Sequence, residues 1–197
     1  MERIRELINT IREYGINNEV PIMSEDTIDT IKDIIIKNNI HSILEIGTAI
    51  GYSTICFGVV DGINNITSIE RDKVRYSLAV SNVEKSKLSN INLICDDALN
   101  TEINDKFDML IIDAAKSQNM KFFNKYKNNI KDDGIIIIDN LDFHGYVGKS
   151  SEIKSRNLRQ MVRKIEKFID FLDNNQEYNV KYIEVGDRLG VCKKKNF

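Results

Sequence analysis

Cysteine is scarce in this 197-residue sequence: Cys56, Cys95 and Cys192 stand far apart, odd in number and without a CxxC pair. That pattern argues against zinc and leaves buried, reduced thiols that pack as small hydrophobes. Long hydrophobic runs are missing as well, none approaching the roughly 20 residues that span a bilayer. The opening MERIRELINTIREYG alternates charge with aliphatics and lacks the continuous apolar core of a secretion signal. It reads as an amphipathic helix, and the protein as cytoplasmic. Charge of one sign is not in excess: 28 basic and 30 acidic residues give a net charge of −2. The chain as a whole therefore has no signature of nonspecific nucleic-acid binding, and any RNA contact must come from a local patch. There is no repeat, no low-complexity linker and no Pro/Gly/Ser-rich boundary, so the length suits a single domain, residues 1–197, with one core.

What the sequence does contain is alternation. Short β-branched runs at Ser42–Gly47, Asn65–Glu70, Ile91–Cys95, Phe107–Asp113 and Gly134–Asp139 read as strands. Several are apolar throughout, as strands buried on both faces of a parallel sheet must be. Helical patterns separate them at Tyr52–Val59, Lys73–Ser86 and Gln118–Asn129, and two helices come first, Ile4–Tyr14 and Ser24–Lys37, the latter capped by Ser24. In 155–174, Leu158, Met161, Val162, Ile165, Phe168, Ile169 and Leu172 recur every three or four residues, one apolar face of a long helix. The segment YNVKYIEVGDRLGVCKK then gives two strands around Gly186-Asp187, a hairpin that supplies an antiparallel edge. Such alternation specifies an α/β fold with an open, doubly wound sheet and helices on both faces. Ligands in these sheets bind beyond the carboxyl ends of the strands, so the residues just after each strand carry the functional information.

After the first strand comes Glu45-Ile-Gly47-Thr-Ala-Ile-Gly51-Tyr-Ser53. Glycines there permit a tight turn and close approach of backbone to a ligand, although packing alone would also account for the pair. The second strand ends at Glu70, about 20 residues on, where an acid can accept from both ribose hydroxyls of an adenosyl ligand. Its alternative is a solvated charge opening the next helix. The third ends in Asp96-Asp97-Ala98, a carboxylate and a small residue suited to the amine and face of an adenine. Together these describe a site for S-adenosylmethionine. The fourth and fifth strands end in Asp113 and in Asp139-Asn140. If those strands are neighbours, three hard oxygen donors converge and suit Mg²⁺ or another divalent cation; singly, each aspartate reads equally as a helix cap or loop acid. Lys116, three residues past Asp113, is the candidate general base, with a solvated surface lysine as its plainer reading.

In combination, PIM, LEIGTAIGYST, IERD, DDA, IDAAK and IIIIDN, in this order from about Pro21 to Cys192, resemble the cation-dependent, catechol-type O-methyltransferases of the class I S-adenosylmethionine-dependent enzymes. The resemblance implies a Rossmann-like, seven-stranded, mostly parallel sheet, N-terminal helices (residues 1–40) covering the cofactor site, and a homodimer. It implies cofactor contacts from Met23, Ser53, Glu70, Asp97, Ala98 and Asp113, with Glu45 and Gly47 shaping the pocket. Metal ligation would fall to Asp113, Asp139 and Asn140, and proton abstraction to Lys116.

Within that family the sequence is most similar to the bacterial tRNA 5-hydroxyuridine methyltransferases, through DNLDFHGYVGKS, SRNLRQMVRK and the closing VGD…GV…KK. That likeness implies methylation of the wobble uridine (position 34) to 5-methoxyuridine, with the anticodon stem-loop as partner. The 5-hydroxyl and 4-carbonyl of that base offer the same adjacent oxygen pair as a catechol. Lys149, Lys154, Arg156, Arg159, Arg163 and Lys164, with Lys193–Lys195, are the candidate phosphate contacts; a solvated helix face reads equally well. Phe143, His144 and Tyr146 could line the base pocket, with a neutral loop residue an equal reading of His144. A small-molecule catechol or hydroxycinnamoyl-type acceptor is the main rival. A cofactor-binding module without catalysis is a second, and a metal-free ribose methyltransferase lacks its lysine–aspartate–lysine–glutamate set here.

Overall fold

The computed structural model describes residues 2–195, which divide into two compact units, one up to Glu102 and one from Ile103. Seven strands form a mixed sheet with helices around it. Among the described residues no helix is long and apolar enough to cross a membrane.

The first unit begins with α1 (Glu2–Asn17) and α2 (Glu25–Lys37). Ser24 caps α2 by accepting from the Thr27 N–H at 3.2 Å, and Glu25, Asp26 and Lys37 complement the helix dipole at its two ends. Ile28, Ile31 and Ile35 fall on one face and are buried. Strands β1 (Ser42–Ile46), β2 (Asn65–Glu70) and β3 (Ile91–Cys95) pair in parallel in the order β3-β2-β1. Helices α3 (Tyr52–Gly58) and α4 (Lys73–Ser86) make the crossovers. Every residue of α3 is buried, consistent with its lack of any charged side chain. The turn from β1 into α3 needs left-handed backbone three times: Gly47 at φ 106°, Ala49 at φ 48° and Gly51 at φ 83°.

In the second unit β4 (Phe107–Ile112) and β5 (Ile130–Ile138) run parallel. Between them the expected single helix is interrupted. A 3₁₀ turn at Lys116–Gln118 leads into α5 (Asn119–Tyr126), and a second at Lys127–Asn129 leads out. β5 also begins four residues earlier than expected, because Ile130 pairs with Phe107 while the exposed Lys131-Asp132-Asp133 hides the strand's periodicity. Helix α6 (Arg156–Asp173) buries Val162, Ile165, Phe168 and Leu172. Phe123 meets Phe168, Phe171 and Tyr178 edge-on, with ring centroids 5.3–6.0 Å apart.

The hairpin of β6 (Tyr178–Ile183) and β7 (Leu189–Lys194) forms the antiparallel edge of the sheet as expected. The order is β4-β5-β7-β6, so the antiparallel strand is β7, one place in from the edge. Helix α6 returns the chain parallel to β5 but one position too far out, and the hairpin folds β7 back into the gap. Cys95 departs from the expectation of buried thiols: Cys56 and Cys192 are buried, with thiols pushed up to about 12 by that burial, whereas Cys95 is exposed.

Candidate active site

In the first unit the strand ends carry two buried carboxylates, Glu45 and Glu70. Glu45, on β1, is fully buried. It accepts from the hydroxyls of Ser53 at 2.6 Å and Ser68 at 2.6 Å, and from that of Thr54. Parallel pairing places Ser68 directly beside Glu45, and the first turn of α3 supplies the other two donors. A desolvated carboxylate needs such donors, so Glu45 ties the glycine turn to both strands. Ser53, expected as a cofactor contact, gives its proton to Glu45 and retains only acceptor capacity.

Glu70 is buried at the end of β2 and accepts one backbone N–H on each oxygen, from Ala49 and from Asp72, both at 2.8 Å. A carboxylate has about four acceptor positions, so two remain for hydroxyl donors such as those of a ribose. Asp97 accepts the Leu99 N–H at 2.9 Å, with Arg71 3.8 Å from its other oxygen, and Ala98 beside it is buried. Met23 is buried just ahead of the α2 cap. Glu45, Gly47, Ser53, Glu70, Asp97 and Ala98 thus lie at or just beyond the carboxyl ends of this unit's strands. The hydroxyls of Thr48, Thr54 and Ser68 belong to the same network and were not singled out from the sequence; Thr48 and Ser68 lie 2.6 Å apart.

In the second unit Asp113 follows β4 and Asp139 follows β5. The Asp139 N–H donates to the Ile112 carbonyl at 3.1 Å, so the two strand ends, and with them the two aspartates, are neighbours. Lys116 opens the 3₁₀ turn and brings Nζ to 2.5 Å from Asp113 Oδ1, both side chains being largely buried. Asp139 is 2% exposed, and among the described residues its oxygens receive only the backbone N–H of Asn140 at 2.8 Å and its side-chain amide at 3.2 Å. Burial first, and the Asp113 charge second, push its carboxyl up to about 7. Asn140 sits at φ 60°, a left-handed conformation that asparagine tolerates better than most residues.

This cluster has two carboxylates against one ammonium. Among the described residues no group of three or more His, Cys, Asp or Glu is gathered as a metal site. The available set is instead two carboxylates and one carboxamide, hard oxygen donors short of positive charge. That chemistry fits an oxygen-seeking divalent cation that keeps water or substrate in its remaining positions.

The loop after Asn140 is fastened to the hairpin turn: Leu141 N–H donates to the Arg188 carbonyl at 2.9 Å and Asp142 N–H to the Asp187 carbonyl at 2.8 Å. His144 is exposed, with Nδ1 2.9 Å from Asp187 Oδ2, an interaction invisible in the sequence. Of the basic residues on α6, Arg156 and Arg163 are exposed. Arg159 instead spends its guanidinium on the Ile153 and Lys154 carbonyls, at 2.8 and 3.3 Å. Of the closing lysines, Lys194 pairs with Asp132 at 2.6 Å and Lys195 donates to the Asn175 carbonyl at 3.0 Å.

Comparison with known proteins gives this arrangement a family. A crystal structure of a Staphylococcus aureus protein with a provisional caffeoyl-CoA O-methyltransferase name is 38% identical, with a TM-score of 0.91 over 95% of this chain and 92% of that one. The caffeoyl-CoA O-methyltransferase of Populus kitakamiensis is 29% identical over 168 residues, 79% of this chain and 71% of that protein. An O-methyltransferase of Bacillus cereus, solved in complex with SAH, shares the fold at 21% identity and a TM-score of 0.81, over 96% and 91% of the two chains. The sequence profile of the O-methyltransferase family matches residues 2–195 from end to end, and the chain belongs to that family.

Proposed function

We propose that this O-methyltransferase takes its methyl group from S-adenosylmethionine and, with a divalent cation, places it on one of two adjacent oxygens of its acceptor, 5-hydroxyuridine at the wobble position of tRNA. The observation that carries the reading is the buried Asp139, desolvated beside Asp113 with one ammonium for two carboxylates. Asp113, Asp139 and Asn140 would hold the cation, which when bound favours the oxyanion of a coordinated hydroxyl and supplies the missing positive charge. Glu70 would accept from the cofactor's ribose hydroxyls, and the Gly47–Gly51 turn would let the backbone lie against it. Lys116, once its ammonium has given a proton to solvent, would take the acceptor's hydroxyl proton on the neutral Nζ, held in place by Asp113. The acceptor oxygen then forms the new bond to the methyl carbon as the carbon–sulfur bond breaks, and its electrons stay on sulfur. No covalent enzyme intermediate is needed, and orientation supplies much of the rate.

The exposed Arg156 and Arg163, together with Lys154 and Lys164, support an RNA acceptor. A second reading, a small phenolic acceptor, is favoured by the names of the related proteins from Staphylococcus aureus and Populus kitakamiensis. Nucleoside mass spectrometry of tRNA from a deletion strain separates the two. Loss of 5-methoxyuridine with accumulation of 5-hydroxyuridine supports the tRNA acceptor. Unchanged nucleosides, with purified enzyme methylating catechols, establish the second reading.

A further inference from the structure

The first turns of α1 and the last turn of α4 enclose a cleft of about 410 Å³ within the first unit, lined by Arg3, Ile4, Leu7, Lys85, Ser86 and Lys87. Because α4 leads directly into the start of β3, the cleft lies at the opposite end of that strand from Asp97. It is distinct from the strand-end residues described above. Its lining holds three cations and no carboxylate, although the chain carries a net charge of −2. Glu2, Glu6 and Glu84 lie on the same helices but do not line it, and among the described residues no acid pairs with Arg3, Lys85 or Lys87.

Each part of the lining has a definite character. Ile4 and Leu7 are three apart on α1, hence on one face, and form an aliphatic floor. Lys87 is fixed at the helix end in the left-handed region, φ 59°, with its N–H on the Glu84 carbonyl at 3.2 Å. The Ser86 hydroxyl is already used, donating to the Val83 carbonyl at 2.6 Å and accepting from the Leu88 N–H at 3.2 Å, so the ligand-facing polarity is purely cationic. The carbonyls ending α4 oppose an anion by about half a charge, less than the charge of either adjacent lysine. A positive rim above an aliphatic floor selects a ligand that is anionic at one end and flat or apolar at the other. The volume lies near the lower end for small-ligand sites and is enough for one nucleotide.

We infer that this cleft is a second ligand site that takes a nucleotide, with the phosphate between Arg3, Lys85 and Lys87 and the base or sugar against Ile4 and Leu7. The nucleotide is either free or one residue of an RNA strand, and the inference stands whichever acceptor the enzyme methylates. The test uses the full chain saturated with SAH, so that the methyl-donor site is filled. CMP is titrated by calorimetry and tRNA by fluorescence anisotropy, for the natural protein, Lys85→Ala/Lys87→Ala, Arg3→Ala and Leu7→Asn. For a free-nucleotide site, CMP affinity falls at least tenfold in the double lysine variant and severalfold in the arginine and leucine variants. Inorganic phosphate then competes weakly, and methyl transfer to whichever acceptor the enzyme uses is unchanged. For a strand site, CMP does not bind alone, but tRNA affinity falls at least tenfold in the double variant, and the slope of log affinity against log salt shrinks by about two. CMP undetected at millimolar concentration, together with tRNA affinity equal in all four proteins, overturns the inference.

Discussion

Replacing Asp139 by asparagine should stabilise the protein freed of divalent cations, and do so only above acidic pH. The folded protein raises this carboxyl from 3.8 to about 7, chiefly by burial and then by the Asp113 charge. A carboxyl with a raised folded-state value holds its proton more tightly folded than unfolded. The resulting cost is therefore absent below about pH 4, grows as pH rises to 7, and is constant above. About three pK units at 1.36 kcal/mol each come to about 4 kcal/mol at pH 8. The amide in Asp139→Asn would keep the acceptor for the Asn140 N–H but lose the 3.2 Å bond from the Asn140 side chain, returning about 1 kcal/mol. The net gain of about 3 kcal/mol corresponds to roughly 6–12 °C in Tm for a chain of this size. Thermal unfolding in a chelator at pH 4 and pH 8 reads it directly. A gain of equal size at both pH values, or a loss at pH 8, refutes the electrostatic argument. Added Mg²⁺ should reverse the ranking at pH 8, raising the Tm of the natural protein and not that of the variant.

The Glu45 clamp gives a prediction of opposite sign: Glu45→Ala takes the acceptor from the buried hydroxyls of Ser53 and Thr54, while Ser68 keeps Thr48, and should cost about 2 kcal/mol or more of stability in denaturant unfolding, with Glu45→Gln recovering part of it. Asn119, at the start of α5, is 1% exposed and neither atom of its amide has a partner, so Asn119→Leu should be neutral or stabilise by about 1–2 kcal/mol in urea unfolding. Arg156→Ala/Arg163→Ala should weaken tRNA binding and reduce the salt slope by about two, while SAH affinity by calorimetry is unchanged.

The strands were legible because those buried on both faces must be apolar throughout, as Met109–Ile112 and Ile135–Ile138 are. The start of β5 was not, since Lys131-Asp132-Asp133 faces solvent and mimics a loop. The position of β7 was not either: Gly186-Asp187 marks a turn but says nothing of which neighbour the returning strand joins. Asp113, Lys116, Asp139 and Asn140 could be picked out because strand ends are where such folds place ligands, and 27 residues separate the first from the last. The Glu45 cluster escaped because its donors span 53 to 68 and meet only when β1 and β2 pair in register, Glu45 beside Ser68. The His144–Asp187 contact depends on the hairpin turn lying under the loop after β5, a tertiary fact without local sequence signal.

The central claim is that Asp113, Asp139 and Asn140 hold a divalent cation needed for methyl transfer to one of two adjacent oxygens. The most direct measurement follows labelled methyl from S-adenosylmethionine to tRNA containing 5-hydroxyuridine and to catechol, with enzyme dialysed against EDTA and then given Mg²⁺. The account predicts that dialysis abolishes transfer and that Mg²⁺ restores it to the natural protein but not to Asp139→Asn. Full transfer by the EDTA-dialysed enzyme, or restoration in both proteins alike, contradicts it.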